Sequence, residues 1–209
     1  MTGHKNIHDH GSRFDRAVEV FEKHGGILRT SQALGSGIHP STLYTMRDSG
    51  VLDTVSRGVY RLSSIPPIGD PDLVTIAIRI PAGVICLISA LAFHELTTQI
   101  PHEVHVALPP GAEEPRLDYP PFRTYRFTGQ AFTEGVEIHD LDSVSVKIYN
   151  PEKTIADCFK FRNKIGIDTA VEAIRLYRER RTIRIDELMR YAKICRIEKI
   201  IRPYLEAIL

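Results

Sequence analysis

The 209-residue chain has no tryptophan and only three cysteines, Cys86, Cys158 and Cys195, with no C-x-x-C pair among them. An odd, sparse set, each member inside an apolar pattern, reads as reduced core thiols of a cytosolic protein. No stretch approaches the roughly 18 uninterrupted apolar residues of a membrane span, and the first residues hold no apolar run of signal-peptide type. Neither sign of charge is in excess: 27 Lys and Arg stand against 26 Asp and Glu, a formal net charge of +1. That balance argues against a strongly basic, histone-like binder and makes any nucleic-acid site a local one. The chain reads as a soluble, cytoplasmic protein, and at 43% hydrophobic it has material for one large or two small globular domains.

The familiar catalytic patterns are also missing. There is no G-x-x-x-x-G-K-[ST], no G-x-G-x-x-G and no G-x-S-x-G. Gly166 beside Lys164 lacks the glycine spacing of a phosphate loop. His94-Glu95 opens an H-E-x-x-H motif, but Thr98 stands where the second histidine ligand belongs. His102 and His105 flank the start of a strand, whose alternation points them to opposite faces. Asp140 and Asp142 are two apart, as in a nucleotidyltransferase, yet the glycine-serine loop such enzymes carry ahead of the pair is absent. His4, His8 and His10 lie on a polar tail, Met1 to Ser12, expected to be loose. No catalytic residue, metal ligand set or cofactor site emerges.

What is present is organised around Ile27 to Leu62. Thr30 to Leu34 reads as a short helix, Gly35-Ser36-Gly37 as a turn, and Pro40 to Ser49 as a second helix with Pro40 at its first position, where the missing N–H costs nothing. Gly50 suits the helix end, and Val51 to Val55 and Val59 to Leu62 are β-rich runs joined around Ser56-Arg57-Gly58. Phe14 to His24 supplies a preceding amphipathic helix closed by Gly25-Gly26. Helix, turn, helix and hairpin together describe a winged helix-turn-helix. At about 100° per residue, Leu43 and Met46 fall on one side of the second helix. Ser41 and Thr45 fall on the other, flanked by Thr42 and Tyr44, and these four are the candidates for DNA contact in the major groove. Arg57 at the hairpin tip and Arg61 on its second strand are candidates for phosphate, with the minor groove also open to Arg57. The competing reading is a helical hairpin that merely packs.

Ser63 to Gly69 is a proline-containing connector that marks a boundary, so residues 1–65 form the winged domain and 66–209 a second one. Asp70-Pro71 opens a helix to about Arg79. Gly83 to Ile88 suits a buried strand, and Ser89 to Leu96 a helix with Ser89 as its cap. Strands follow at Val104 to Leu108, Phe122 to Phe127, Val136 to Leu141 and Ser143 to Tyr149. Asn150-Pro151-Glu152 opens a helical region with a capping Asn, Pro at the first position and a carboxylate near the positive dipole end. Three further helices follow, the last kinked by Pro203. The fold class is α+β: a winged helix-turn-helix domain, then a mixed α/β domain ending in a helical bundle.

Charge is unevenly distributed. Residues 66–150 hold five bases and eleven acids, whereas residues 151–209 hold fourteen bases and nine acids. The middle is not a nucleic-acid surface; the opposite faces of the final helices are basic.

The hairpin Arg57-Gly58-Val59-Tyr60-Arg61-Leu62, the run Tyr149 to Phe159 (YNPEKTIADCF), Arg162-Asn163-Lys164 and Arg202-Pro203-Tyr204-Leu205 resemble the AbiEi family of antitoxins, over about Phe14 to Leu209. The hairpin motif is shared by many winged-helix proteins; the P-E-K-T-I-A-D-C-F helix is far more specific. The resemblance implies the antitoxin of a type IV toxin–antitoxin pair whose toxin looks like a nucleotidyltransferase. It implies autorepression by binding double-stranded DNA at an inverted-repeat operator, and neutralisation through the C-terminal domain without need of a stable complex. Lys160, Arg162, Lys164, Arg175, Arg178, Arg181, Arg190 and Lys193 are then the candidate antitoxin surface. A dimer would match two half-sites and multiply a weak field. The alternative is a ligand-responsive regulator with an effector pocket in the middle region and no toxin partner.

Overall fold

Apolar spacing decides where the first helix turns inward. In the computed structural model, which describes residues 7–65, 69–180 and 184–208 with side chains other than those of 7–12 and 180, helix α1 spans Ile7–Lys23 and buries Ala17 and Phe21 one turn apart. It begins at Ile7 rather than Phe14, so part of the segment expected as a loose tail is helical. Once an apolar stripe has nucleated a helix, each added residue gains a hydrogen bond at little cost, and polar residues extend it. His4 lies outside the described residues.

Strand β1 (Ile27–Arg29), helices α2 (Thr30–Gly35) and α3 (Pro40–Asp48) and strands β2 (Leu52–Ser56) and β3 (Val59–Leu62) follow. The three strands form an antiparallel sheet in the order β1-β3-β2, with Leu28 opposite Tyr60 and Thr54 opposite Tyr60 on the two sides of β3. β1 was not expected; three residues are too few to show alternation. Phe21, Leu28, Ala33, Leu43, Met46, Leu52 and Leu62 share one core. Helix α4 (Pro71–Arg79) starts as expected, with the Asp70 carboxylate accepting from the Leu73 N–H at 3.3 Å.

Next come β4 (Val84–Ile85), α5 (Leu87–Phe93), β5 (Val104–Leu108), β6 (Phe122–Arg126), α6 (Gln130–Thr133), β7 (Val136–Leu141) and β8 (Val144–Tyr149). The chain ends in α7 (Pro151–Lys160), α8 (Arg162–Ile165), α9 (Ile167–Arg180), α10 (Ile185–Ile194) and α11 (Glu198–Ile208), with Pro203 inside α11. A five-stranded sheet has the order β6-β5-β4-β8-β7, β4 running antiparallel to β5 and parallel to β8. The architecture is mixed α+β with two sheets.

Two expectations fail here for one reason. The strand expected at Gly83 to Ile88 is only two residues long, and α5 begins at Leu87, so Ser89 is inside the helix and does not cap it. The Ser89 hydroxyl instead accepts from the His105 N–H at 2.9 Å and donates to the Glu103 carbonyl at 3.4 Å. A bond to a neighbouring strand outweighs the local capping signal.

The chain divides into two compact units, one of residues 1–78 with 140–145 and one of residues 79–139 with 146–209. In the first, Ile27, Val59 and Val74 form a small second core that also takes in Leu141 and Val144. In the second, the core runs from Val84 and Phe127 through Ile155, Cys158 and Phe159 of α7 to Ile201 and Leu205 of α11.

Candidate nucleic-acid interface

Helix α3 is positioned by Leu43 and Met46, both fully buried, which leaves Ser41, Tyr44, Thr45, Arg47 and Asp48 facing outward and Thr42 half-buried. Tyr44 is 44% exposed, an unusual placing for a large aromatic. Its ring lies under the Arg47 guanidinium at 5.3 Å, and Arg47 also pairs with Asp48 at 2.7 Å.

Sequence reasoning missed the cap of this helix. The His39 side chain accepts from the Ser41 N–H through Nδ1 and lies 2.8 Å from the Ser41 hydroxyl. Thr45 donates its hydroxyl proton to the Ser41 carbonyl at 2.8 Å. The Thr45 hydroxyl has therefore spent its donor and is left with its lone pairs. His39 escaped notice because Ser, Thr, Asp and Asn are the residues that signal an N-cap.

An open groove of ≈ 630 Å³ runs between α1 and the turn before α3, with Arg13, Arg16 and Glu19 on one wall and Ser36, His39 and Thr42 on the other. Arg13 and Arg16 are three apart on the exposed side of α1, a spacing visible in the sequence.

At the wing, Gly58 has φ +73, a conformation a β-carbon disfavours, and its carbonyl accepts from the Thr30 N–H at 2.8 Å and the Thr30 hydroxyl at 3.3 Å. Arg57 stands exposed at that tip. Arg61 departs from expectation. Its side chain is only 15% exposed, donates to Asp53 at 2.6 Å across the hairpin and to the Ile65 carbonyl at 2.9 Å. Opposite Asp53 on β3, it ties the two strands of the hairpin together.

In the second unit, the expected basic face is broken up. Arg190 pairs with Glu134 and Glu187, both at 3.0 Å, while its guanidinium stacks 4.4 Å from the Tyr191 ring. Arg162 donates to the Phe159 carbonyl at 2.9 Å, and Arg178 to the Ile208 carbonyl. Lys160 is half-buried over the Phe127 and Phe161 rings, Lys164 lies over Tyr125 and Phe161, and Arg175 and Lys193 are exposed. Arg181 lies outside the described residues.

The P-E-K-T-I-A-D-C-F segment is interior. Every residue from Pro151 to Phe159 is buried, including Glu152, Lys153 and Asp157. Asn150 caps α7 as expected, accepting from the Lys153 N–H at 2.8 Å. Lys153 pairs with Asp157 and lies 4.2 Å from the Tyr149 ring and 4.8 Å from that of Phe127. Burial pushes the Asp157 carboxyl up despite Lys153, and burial with the Asp157 charge holds the Cys195 thiol up to about 12. Burial also works against the Glu152 charge, but hydrogen bonds from Arg184, at 2.6 and 2.9 Å, and from Tyr177 outweigh it and hold that carboxyl below the ordinary range. No group of three or more His, Cys, Asp or Glu able to hold a metal occurs among the described residues. Among them, too, no helix is long and apolar enough to cross a membrane.

Residues 15–63 match a family model described as "Transcriptional regulator, AbiEi antitoxin". The match covers the helix-turn-helix and hairpin and stops short of the YNPEKTIADCF run. No curated protein matches the chain. A solved structure, described as the crystal structure of the RV2827C protein from Mycobacterium tuberculosis, is similar with a TM-score of 0.54 at 16% identity, covering 98% of this chain and 82% of that one. At that identity the likeness is one of fold.

Proposed function

We propose that the chain is a DNA-binding repressor and antitoxin: residues 1–65 recognise an inverted-repeat operator in double-stranded DNA, and residues 66–209 counteract a nucleotidyltransferase-like toxin of a type IV pair without a stable complex. The protein is a cytoplasmic, non-enzymatic regulator of its own operon. The observation that carries this reading is the outward hydroxyl face of α3 beside an arginine-bearing groove, within the segment that matches a regulator and antitoxin family.

In this reading the N-terminal part of α3 enters the major groove with Ser41, Thr42, Tyr44 and Thr45. Thr45, its proton held by the Ser41 carbonyl, offers an acceptor, which suits the amino groups of adenine or cytosine and is repelled by phosphate oxygens. Arg57 on the wing, and Arg13 and Arg16 across the groove, supply the phosphate contacts that fix register. The formal charge of residues 1–65 is small, eight bases against six acids, and two copies on symmetric half-sites double it.

A mobility-shift titration of the promoter tests the front half. Arg57→Ala should weaken binding on all sequences and reduce the salt slope by about one; an unchanged slope removes the wing from the interface. Co-expression with the neighbouring toxin, scored by growth, tests the back half: charge reversal at Lys164, Arg175 and Lys193 should abolish rescue, and intact rescue rejects a cationic antitoxin surface.

A further inference from the structure

Inside the second unit, the end of α7, the turn into α6 and the residue that closes α10 surround a cleft of ≈ 480 Å³. Lys160 and Arg196 line it together with the polar side chains of Thr128 and Gln130, and its lining contains no carboxylate.

Both cations lack an acidic partner. Lys160 lies over the rings of Phe127 and Phe161, at 5.6 and 5.7 Å, feels the Asp157 charge at longer range, and makes no ion pair among the described residues. The one acid beneath it, Asp157, is already paired with Lys153. Arg196 is exposed, and its guanidinium has no partner among the described residues. Its backbone is the more telling. Arg196 has φ +59, its N–H bonds to the Lys193 carbonyl at 3.0 Å, and the next N–H, of Ile197, returns to the Ala192 carbonyl at 2.9 Å. That is the left-handed turn after a helix, where glycine is strongly favoured and a β-carbon carries a steric cost. An arginine here carries backbone strain while its side chain makes no hydrogen bond or ion pair among the described residues, at the edge of a carboxylate-free cleft.

We propose that this cleft binds a phosphomonoester of mononucleotide size, with Lys160 and Arg196 holding the phosphoryl oxygens and Thr128 and Gln130 donating hydrogen bonds. The volume is far beyond what a bare phosphate fills and falls in the range of about 300–1,000 Å³ that small-molecule sites occupy. The site is independent of the DNA-binding reading.

Calorimetric titration of the full chain with AMP, inorganic phosphate and adenosine tests it. The expected result is saturable AMP binding, weaker phosphate binding and none of adenosine. Arg196→Gly should weaken AMP at least tenfold while leaving the melting temperature equal or higher, because glycine suits the backbone; a merely structural arginine would not separate the two readouts. Lys160→Gln should weaken AMP similarly. Absence of saturable AMP binding, or AMP affinity unchanged in both variants, overturns the site. Phosphate binding as tightly as AMP overturns the nucleotide-sized ligand, and adenosine binding as tightly overturns the cationic clamp.

Discussion

Replacing Asp157 by alanine strands an ammonium in the core of the second unit. The Lys153 side chain is 0% exposed, and with the carboxylate gone its head would face only the rings of Tyr149 and Phe127. Removing one partner of a buried pair costs about 3–5 kcal/mol, and the ring contacts, present before and after the change, offset none of it. The loss expected for Asp157→Ala is therefore about 3–5 kcal/mol, a large share of the roughly 5–15 kcal/mol that holds a domain together. The double change Lys153→Met with Asp157→Leu removes both desolvation penalties and fills a similar volume, so it should fall within about 1 kcal/mol of the parent. Urea unfolding followed by circular dichroism measures both, with the midpoint shifting at constant slope. If Asp157→Ala cost less than about 1 kcal/mol, Lys153 would have to reach water, and the interior placing of α7 would be refuted.

Arg61→Ala breaks the tie to Asp53 and Ile65, and should lower stability by about 1 kcal/mol with the salt slope of operator binding unchanged; a lost phosphate contact would move the slope instead. Glu152 titrates lower in the folded chain than in the unfolded one, so on acidification the unfolded form takes up the proton first. The stability it confers is fully present above the ordinary carboxylate range and disappears as pH falls through the folded value; Glu152→Gln should flatten the acid limb of a stability–pH profile, and an unaltered limb would contradict the Arg184 and Tyr177 bonds.

The elements that were legible in the sequence are those fixed by local chemistry. Pro40 and Pro151 at first helical positions, the Asn150 cap and the glycine turn at Gly58 announce α3, α7 and the wing without reference to anything distant. The failures share the opposite property. Ser89 carries a good capping hydroxyl, but its partners lie on β5 and just before it. Arg61 reads as an outward cation until its pairing with Asp53 across the hairpin is known. Lys153 and Asp157, four apart, have the spacing of a solvated surface pair. Nothing in the spacing speaks against that reading: Ile155, Ala156, Cys158 and Phe159 fall within an arc of about 160°, with Lys153 and Asp157 opposite, so the burial of the polar side comes from packing that the sequence does not display.

The basic excess of the last 59 residues illustrates why a count of charges is not a map of them. Of the cations in that region, Lys153 is consumed by Asp157 inside the core, Arg184 by Glu152, and Arg190 by Glu134 and Glu187. Arg162 and Arg178 are directed at backbone carbonyls. The carboxylates largely cancel the fields of Lys153, Arg184 and Arg190, whereas Arg162 and Arg178 keep a full charge but have their donors turned to the fold. What remains for a polyanion among the described residues is Lys160, Lys164, Arg175 and Lys193 from the expected surface, with the exposed Arg196, Lys199 and Arg202 beside them though absent from the expectation. A partner drawn to the second unit would therefore meet scattered cations, two of them stacked over aromatic rings, rather than a continuous basic face.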